Sequence, residues 1–129
     1  MKLNLDCIRD ILLATEENTG YRQELYISRH EEFLEELPAQ LRKYDIMEVL
    51  YHIKQCEMAG LIIFGHGMMR VEYAIADLTP YGHEFLSNIR QDTNWNKTKQ
   101  KLQKVGSSAL SVVIDVAKTI IVDALKSQL

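Results

Sequence analysis

Between Tyr44 and Phe64 the chain reads YDIMEVLYHIKQCEMAGLIIF, and the order of signals in this stretch leaves few folds open. Asp45 followed three residues later by Glu48 is the pattern of a capping box, in which the Asp side chain accepts from first-turn N–H groups and the Glu reaches back to the cap. Ile46, Val49, Leu50, Ile53 and Cys56 recur at three- and four-residue steps, the apolar stripe of an amphipathic helix. The opposite face is read as Glu48, Tyr51, His52 and Gln55. Gly60 ends the helix, because glycine takes the left-handed conformation that closes a C-terminus without a steric penalty. The short apolar run Leu61–Phe64 then predicts a strand.

The following residues extend the pattern. Gly65-His66-Gly67 is a turn, and Arg70–Asp77 predicts a returning strand with Val71, Tyr73 and Ile75 on one face. In Leu78-Thr79-Pro80-Tyr81-Gly82 a helix reopens, with Thr79 as cap and Pro80 at the first helical position, where its missing N–H has no consequence. A helix, a glycine turn, a hairpin and a new helix in that order predict an α+β fold: a winged helix-turn-helix core with a β-hairpin wing and a C-terminal helical extension. The expected division is residues 1–91 for the winged-helix domain and 92–129 for the extension, a basic helix followed by an apolar oligomerisation helix.

Upstream, Asn4 is a plausible cap for a helix Leu5–Glu17, broken by Asn18-Thr19-Gly20. Glu24–Ser28 predicts a short strand that pairs with the hairpin. Ser28 with Glu31 resembles a second capping box, opening an acidic helix that runs to Leu37 and stops at Pro38. Downstream, Pro80–Gln91 is a helix with Phe85, Leu86 and Ile89 as its core face, and Asp92-Thr93-Asn94 reads as an interruption. Trp95–Val105 is a basic helix carrying Lys97, Lys99, Lys101 and Lys104, and Gly106-Ser107-Ser108 is a second break. Ala109–Leu129 is apolar over most of its circumference, so it must be covered on more than one side. Self-association through Leu110, Val113, Ile114, Ala117, Ile120, Ile121 and Leu125 is the expected solution, as a two-fold homodimer. Asp115, Lys118 and Asp123 interrupt the run and argue against a membrane-spanning helix.

Charge is uneven. Residues 1–38 hold four basic and nine acidic side chains, residues 39–90 five and six, and residues 91–129 six and three, for a net −3. The lack of a strongly basic footprint disfavours tight nonspecific DNA binding, whose affinity comes mainly from phosphate contacts. Two cysteines, Cys7 and Cys56, form neither a disulfide framework nor a zinc pattern, and His30, His52, His66 and His83 lack metal-ligand spacing. Neither a nucleophile motif nor a glycine-rich phosphate loop is present, and Glu31, Glu32, Glu35 and Glu36 read as a solvated acidic face. The expectation is a cytoplasmic non-enzyme without cofactor, and without a secretory leader.

Several separated blocks resemble domain-of-unknown-function family 2513, short proteins encoded by bacteria and their phages. They are residues 1–13 (MKLNLDCIRDILL), Tyr51-His52-Ile53-Lys54, Ala59-Gly60-Leu61-Ile62, Leu78–Leu86, and Ile89-Arg90-Gln91-Asp92 leading to Trp95. The resemblance covers roughly residues 1–105. It implies a winged-helix-like core and a phage or mobile-element setting, and it transfers no activity or site residues.

In a helix-turn-helix, the helix Asp45–Ala59 would lie in the major groove. Tyr51, His52, Lys54 and Gln55 would face base edges, since Gln bonds adenine bidentately and Lys reaches guanine or phosphate. Arg42 and Lys43 in the preceding turn would hold phosphates, and His66 and Arg70 on the wing would touch backbone. The expected function is DNA binding by a transcription regulator. The alternative is a protein–protein interaction module that contacts a host or phage protein and no DNA; acidic residues 1–38 and the methionines Met68 and Met69 at the wing favour it.

Overall fold

The computed structural model describes residues 1–129, a mixed α+β chain with six α-helices and a three-stranded antiparallel sheet. The elements are α1 (Leu5–Asn18), β1 (Leu25–Ile27), α2 (Glu31–Leu34), a 3-10 turn (Ala39–Leu41), α3 (Ile46–Met58), β2 (Ile62–Phe64), β3 (Tyr73–Leu78), α4 (Pro80–Ile89), α5 (Asp92–Val105) and α6 (Leu110–Ser127). They fall into two units, Met1–Gly82 and His83–Leu129.

In the first unit, Asn4 caps α1 as its sequence position suggests: its Oδ1 accepts from the Cys7 N–H at 3.2 Å. Cys7, Ile8, Ile11, Leu12 and Ala14 are buried, and α1 packs against α3, the 3-10 turn and β3. Thr15 is buried too, and its hydroxyl donates to the Ile11 carbonyl at 2.8 Å, which satisfies it within the helix. The sheet runs β1-β3-β2, so the last strand is the central one. Leu25 pairs with Ile75 and Ile27 with Tyr73. Along β2, Ile62 pairs with Leu78 and Ile63 with Asp77, but Phe64 pairs with Ile75. Ala76 is therefore skipped, which makes a bulge. The bulge brings Leu78 to the buried side with Ile75; the expected face Val71, Tyr73 and Ile75 is not kept, because the strand starts only at Tyr73, Ala74 is buried, and Val71 and Tyr73 are only half-buried.

α3 starts at Asp45, whose side chain accepts from the Met47 N–H at 3.1 Å. It ends in a Schellman turn: Gly60 sits at φ +77°, its N–H donates to the Glu57 carbonyl, and the Leu61 N–H donates to the Cys56 carbonyl at 2.9 Å. The chain passes straight from this turn into β2. At the start of α4, Thr79 Oγ1 accepts from the Gly82 N–H at 2.9 Å.

The Ser28–Glu31 capping box does not form. Ser28 is buried, and its hydroxyl donates to the Arg70 carbonyl at 2.6 Å while accepting from the His30 N–H. The cap position falls on His30, without a side-chain hydrogen bond, and α2 is a single turn ending at Leu34 rather than Leu37. Ser28 was already engaged by the hairpin, a long-range partner that local spacing does not reveal.

In the second unit, Phe85, Leu86 and Ile89 of α4 are buried. Asp92-Thr93-Asn94 is the first turn of α5 instead of an interruption; the break lies at Arg90-Gln91, and Asp92 stands where a helix N-terminus favours a carboxylate. α5 buries Trp95, Thr98 and Leu102 and packs along α6. Gly106, at φ +69°, ends α5 and separates the two. This pairing corrects the expected oligomerisation face: Val113, Ile114 and Ala117 are buried inside the unit. Leu110, Ile120 and Ile121 are half-buried, and Leu125 is 60% exposed. The apolar stripe is continuous in sequence, but a folded-back neighbour covers its first half. No helix is long and apolar enough to cross a membrane.

Candidate nucleic-acid interface

The eight residues assigned to DNA from sequence all lie in the first unit, and they have different surroundings. His52 is completely buried. Its Nε2 accepts from the Asn4 N–H at 2.8 Å, and its Nδ1 lies 2.8 Å from the Glu48 carbonyl, to which it donates. Both ring nitrogens are thus used, in the neutral Nδ1–H tautomer, to tie the start of α1 to α3. The assignment of His52 to a base-reading face is corrected. Val49, His52, Ile53 and Cys56 form one buried stripe of α3. The imidazole belongs to it because its two polar atoms meet backbone partners there.

The cations on this surface are engaged. Arg42 donates from Nε to the Leu37 carbonyl at 2.8 Å and from its guanidinium to the Glu35 carbonyl at 3.4 Å, bracing the turn after α2. Lys43 Nζ lies 3.0 Å from Asp10 Oδ2, which also accepts from the Tyr44 hydroxyl at 2.6 Å. Burial, and then the hydrogen bond to Asp10, raise the Tyr44 phenol above its ordinary range, so it stays a donor. Lys54 Nζ lies 3.4 Å from Glu57 Oε2 and 5.8 Å from the centre of the Phe64 ring. The Lys54–Glu57 pair is open to solvent and worth about 0–1 kcal/mol, whereas the Asp10 carboxylate beside Lys43 is largely buried and also held by Tyr44. Tyr51 is half-buried, its ring edge-on to His52 with 5.2 Å between centroids, and Gln55 is also half-buried.

On the hairpin, Arg70 adopts φ +69°, and its guanidinium lies 3.3 Å from Glu32. The His66 N–H donates to Glu24 Oε1 at 3.1 Å. The Glu24 carboxylate occupies the space a side chain at Gly65 would need, so a substitution there would have to displace it. Met68 and Met69 are 51% and 87% exposed.

The sequence reading missed two members of the outer face of α3. Met47 is 49% exposed and Met58 60%. With Tyr51 and Lys54 they stand at steps of four, three and four residues, a single stripe turned away from the buried one. Their spacing is legible in the sequence, but an apolar residue in a helix is usually a core residue, and only the fold turns these two outward.

Cys7 and Cys56 are buried on α1 and α3 as free thiols. Burial, with smaller contributions from Glu48 and Asp10, pushes the Cys7 thiol up to about 12, and burial likewise raises Cys56. Neither should react with a thiol reagent at pH 8 until the chain unfolds, when both should react together. Above pH 9, the ordinary value, the unfolded chain releases protons that the folded chain retains, so stability falls as pH rises. Denaturant titrations between pH 8 and pH 11 measure it; a midpoint that rises with pH would contradict the burial of these groups.

The family profile described as "Hypothetical protein (DUF2513)" matches residues 2–108. An uncharacterised protein of Haemophilus influenzae (strain ATCC 51907 / DSM 11121 / KW20 / Rd) is 36% identical over 124 residues, which span 94% of this chain and 96% of the relative. No solved structure matches the chain.

Proposed function

From the premise that this chain belongs to the DUF2513 family, we propose that it is a winged-helix DNA-binding protein, a transcription regulator of phage or mobile-element type, that reads duplex DNA with the outer face of α3. One observation carries the reading. The order α1-β1-α2-α3-β2-β3 with the sheet order β1-β3-β2 supports a winged-helix reading, and the face of α3 bearing Tyr51, Lys54 and Gln55 is free of the core. In this geometry Lys54 and Gln55 reach base edges and Lys43 exchanges Asp10 for a phosphate. His66 and Arg70 follow the backbone from the hairpin. Arg42 braces the turn and makes no phosphate contact, and His52 holds the scaffold. Self-association through what remains exposed of α6, Leu125 above all, would make the DNA site a pseudo-palindrome.

A second reading, an interaction module for a protein partner, is favoured by the exposed Met47 and Met58. It is also favoured by the charge of the first unit: eight basic and fourteen acidic side chains, net −6. Fluorescence anisotropy of the full-length protein against a random duplex pool, followed by selection and sequencing, separates the two. Binding with recovery of a defined motif, and a loss of about tenfold or more when Lys54 and Gln55 are both changed to alanine, is the expected result, since one good base contact is worth about 1–3 kcal/mol. The absence of duplex binding at low salt would reject the DNA reading and leave the interaction module.

A further inference from the structure

The DNA reading leaves the most basic stretch of the chain without a role. The first unit carries net −6, while His83–Leu129 holds seven basic and four acidic side chains, net +3. Most of that charge is on α5. Lys97, Lys101 and Lys104 stand at steps of four and three residues on one face, with Gln100 between them. The opposite face of the same helix, Trp95, Thr98 and Leu102, is buried, so the three lysines are fixed outward, and all three are exposed. They differ from the cations of the first unit. Arg29, Lys43, Lys54 and Arg70 each pair with a carboxylate, at Glu72, Asp10, Glu57 and Glu32. No Asp or Glu stands three or four residues from Lys97, Lys101 or Lys104, so the helix supplies none of them with a counter-charge. The lysines and Gln100 line, with Ile120 of α6, a depression of about 290 Å³.

We propose that this face of α5 is a second nucleic-acid contact, a three-lysine row that holds consecutive phosphates of one strand; it rests on the reading of the protein as a DNA binder and adds the backbone contact that α3 lacks. The dimensions agree. Seven residues of helix rise about 10 Å, and one strand of duplex DNA advances about 3.4 Å per phosphate, so the row spans about three phosphates. Like charges held together without local neutralisation bind a polyanion by releasing its counterions. A lipid surface fits less well. A helix lying on a membrane inserts its apolar face, and the apolar face of α5 is already buried.

The test uses the full-length protein and a mixed-sequence 30-base-pair duplex, with affinity measured between 50 and 200 mM salt. Lys97→Gln, Lys101→Gln and Lys104→Gln are made together, with circular dichroism and thermal melting to check folding. A triple Lys→Arg variant serves as the charge-retaining control. Three lost phosphate contacts should reduce the slope of log affinity against log salt by about 2.7 and weaken binding at 50 mM salt at least tenfold, with Arg restoring both. An unchanged slope in the Gln variant overturns the proposal. If the Lys54 and Gln55 double variant loses affinity at the same time, the α3 reading survives that failure. The converse, loss only in the Gln variant, supports the α5 site and removes α3 as the reader. If the wild type binds no duplex at 50 mM salt, both fall. Cosedimentation with phosphatidylserine vesicles, lost in the Gln variant, would then assign the row to a membrane.

Discussion

Gly82→Ala should destabilise the first unit by more than about 3 kcal/mol, beyond the usual range for overpacking, or prevent its folding. Local propensity points the other way: Gly82 lies in the first turn of α4, and alanine is favoured over glycine in a helix by about 1 kcal/mol. The surroundings decide. A Cβ on Gly82 would stand 2.0 Å from the Leu61 carbonyl oxygen and 2.9 Å from its carbon. These are backbone atoms, and they cannot retreat freely. The Leu61 N–H closes the Schellman turn of α3, and its carbonyl accepts from the Thr79 N–H at 3.1 Å. Moving Leu61 breaks the exit of α3 and the entry of α4 together. Gly106→Ala is the control: nothing lies within 4 Å of its Cβ, and only the left-handed φ of +69° is penalised, by about 1–2 kcal/mol. Urea midpoints of the two variants compare them directly. A Gly82→Ala protein as stable as wild type would mean that α4 does not begin against Leu61.

His52→Ala should cost about 3–5 kcal/mol, the sum of a truncated buried side chain and backbone groups left unpaired. The imidazole is fully buried and joins the Asn4 N–H to the Glu48 carbonyl. Its loss opens a cavity between α1 and α3 and removes a partner from each polar group. Lys54→Ala, two positions along the same helix but exposed, should stay within about 0.5 kcal/mol of wild type. Chemical denaturation of both variants makes the comparison. If His52→Ala were neutral in stability yet lost duplex binding, the imidazole would be a reader after all.

These two residues mark where the sequence was legible and where it was not. The cap at Asn4, the glycine stop at Gly60, the Thr79–Pro80 helix start, and the short strand at Leu25–Ile27 are local or period-two signals, and each stands in the structure. Ser28, the facing of the strand around Ala76, and His52 are not legible locally because they depend on partners far away in the chain. Ser28 bonds Arg70, Ala76 is skipped in the register with β2, and His52 meets Asn4. A histidine at i+3 from Val49 fits the buried stripe as well as the polar one, and only the presence of two backbone partners decides between them. The candidate interface was legible to a similar degree. Residue types on α3 could be listed, but not the carbonyls holding Arg42 or the carboxylates beside Lys43 and Lys54. The lysine row of α5 was written plainly in the spacing, and it went unused because no helix-turn-helix position corresponds to it.

The strand order also sets a sequence of events during folding. β2 and β3 join residues as close as Phe64 and Ile75, while β1 reaches its place only by pairing Leu25 with Ile75, fifty positions away. Closing the longer loop costs about 1 kcal/mol more chain entropy, so the hairpin forms as a template and β1 is added late. The pairing that completes the sheet also brings Ser28 to the Arg70 carbonyl and Arg29 to Glu72. The geometry of the hairpin tip is therefore acquired in the last step, and a chain stalled before that step would have its helices without an ordered wing.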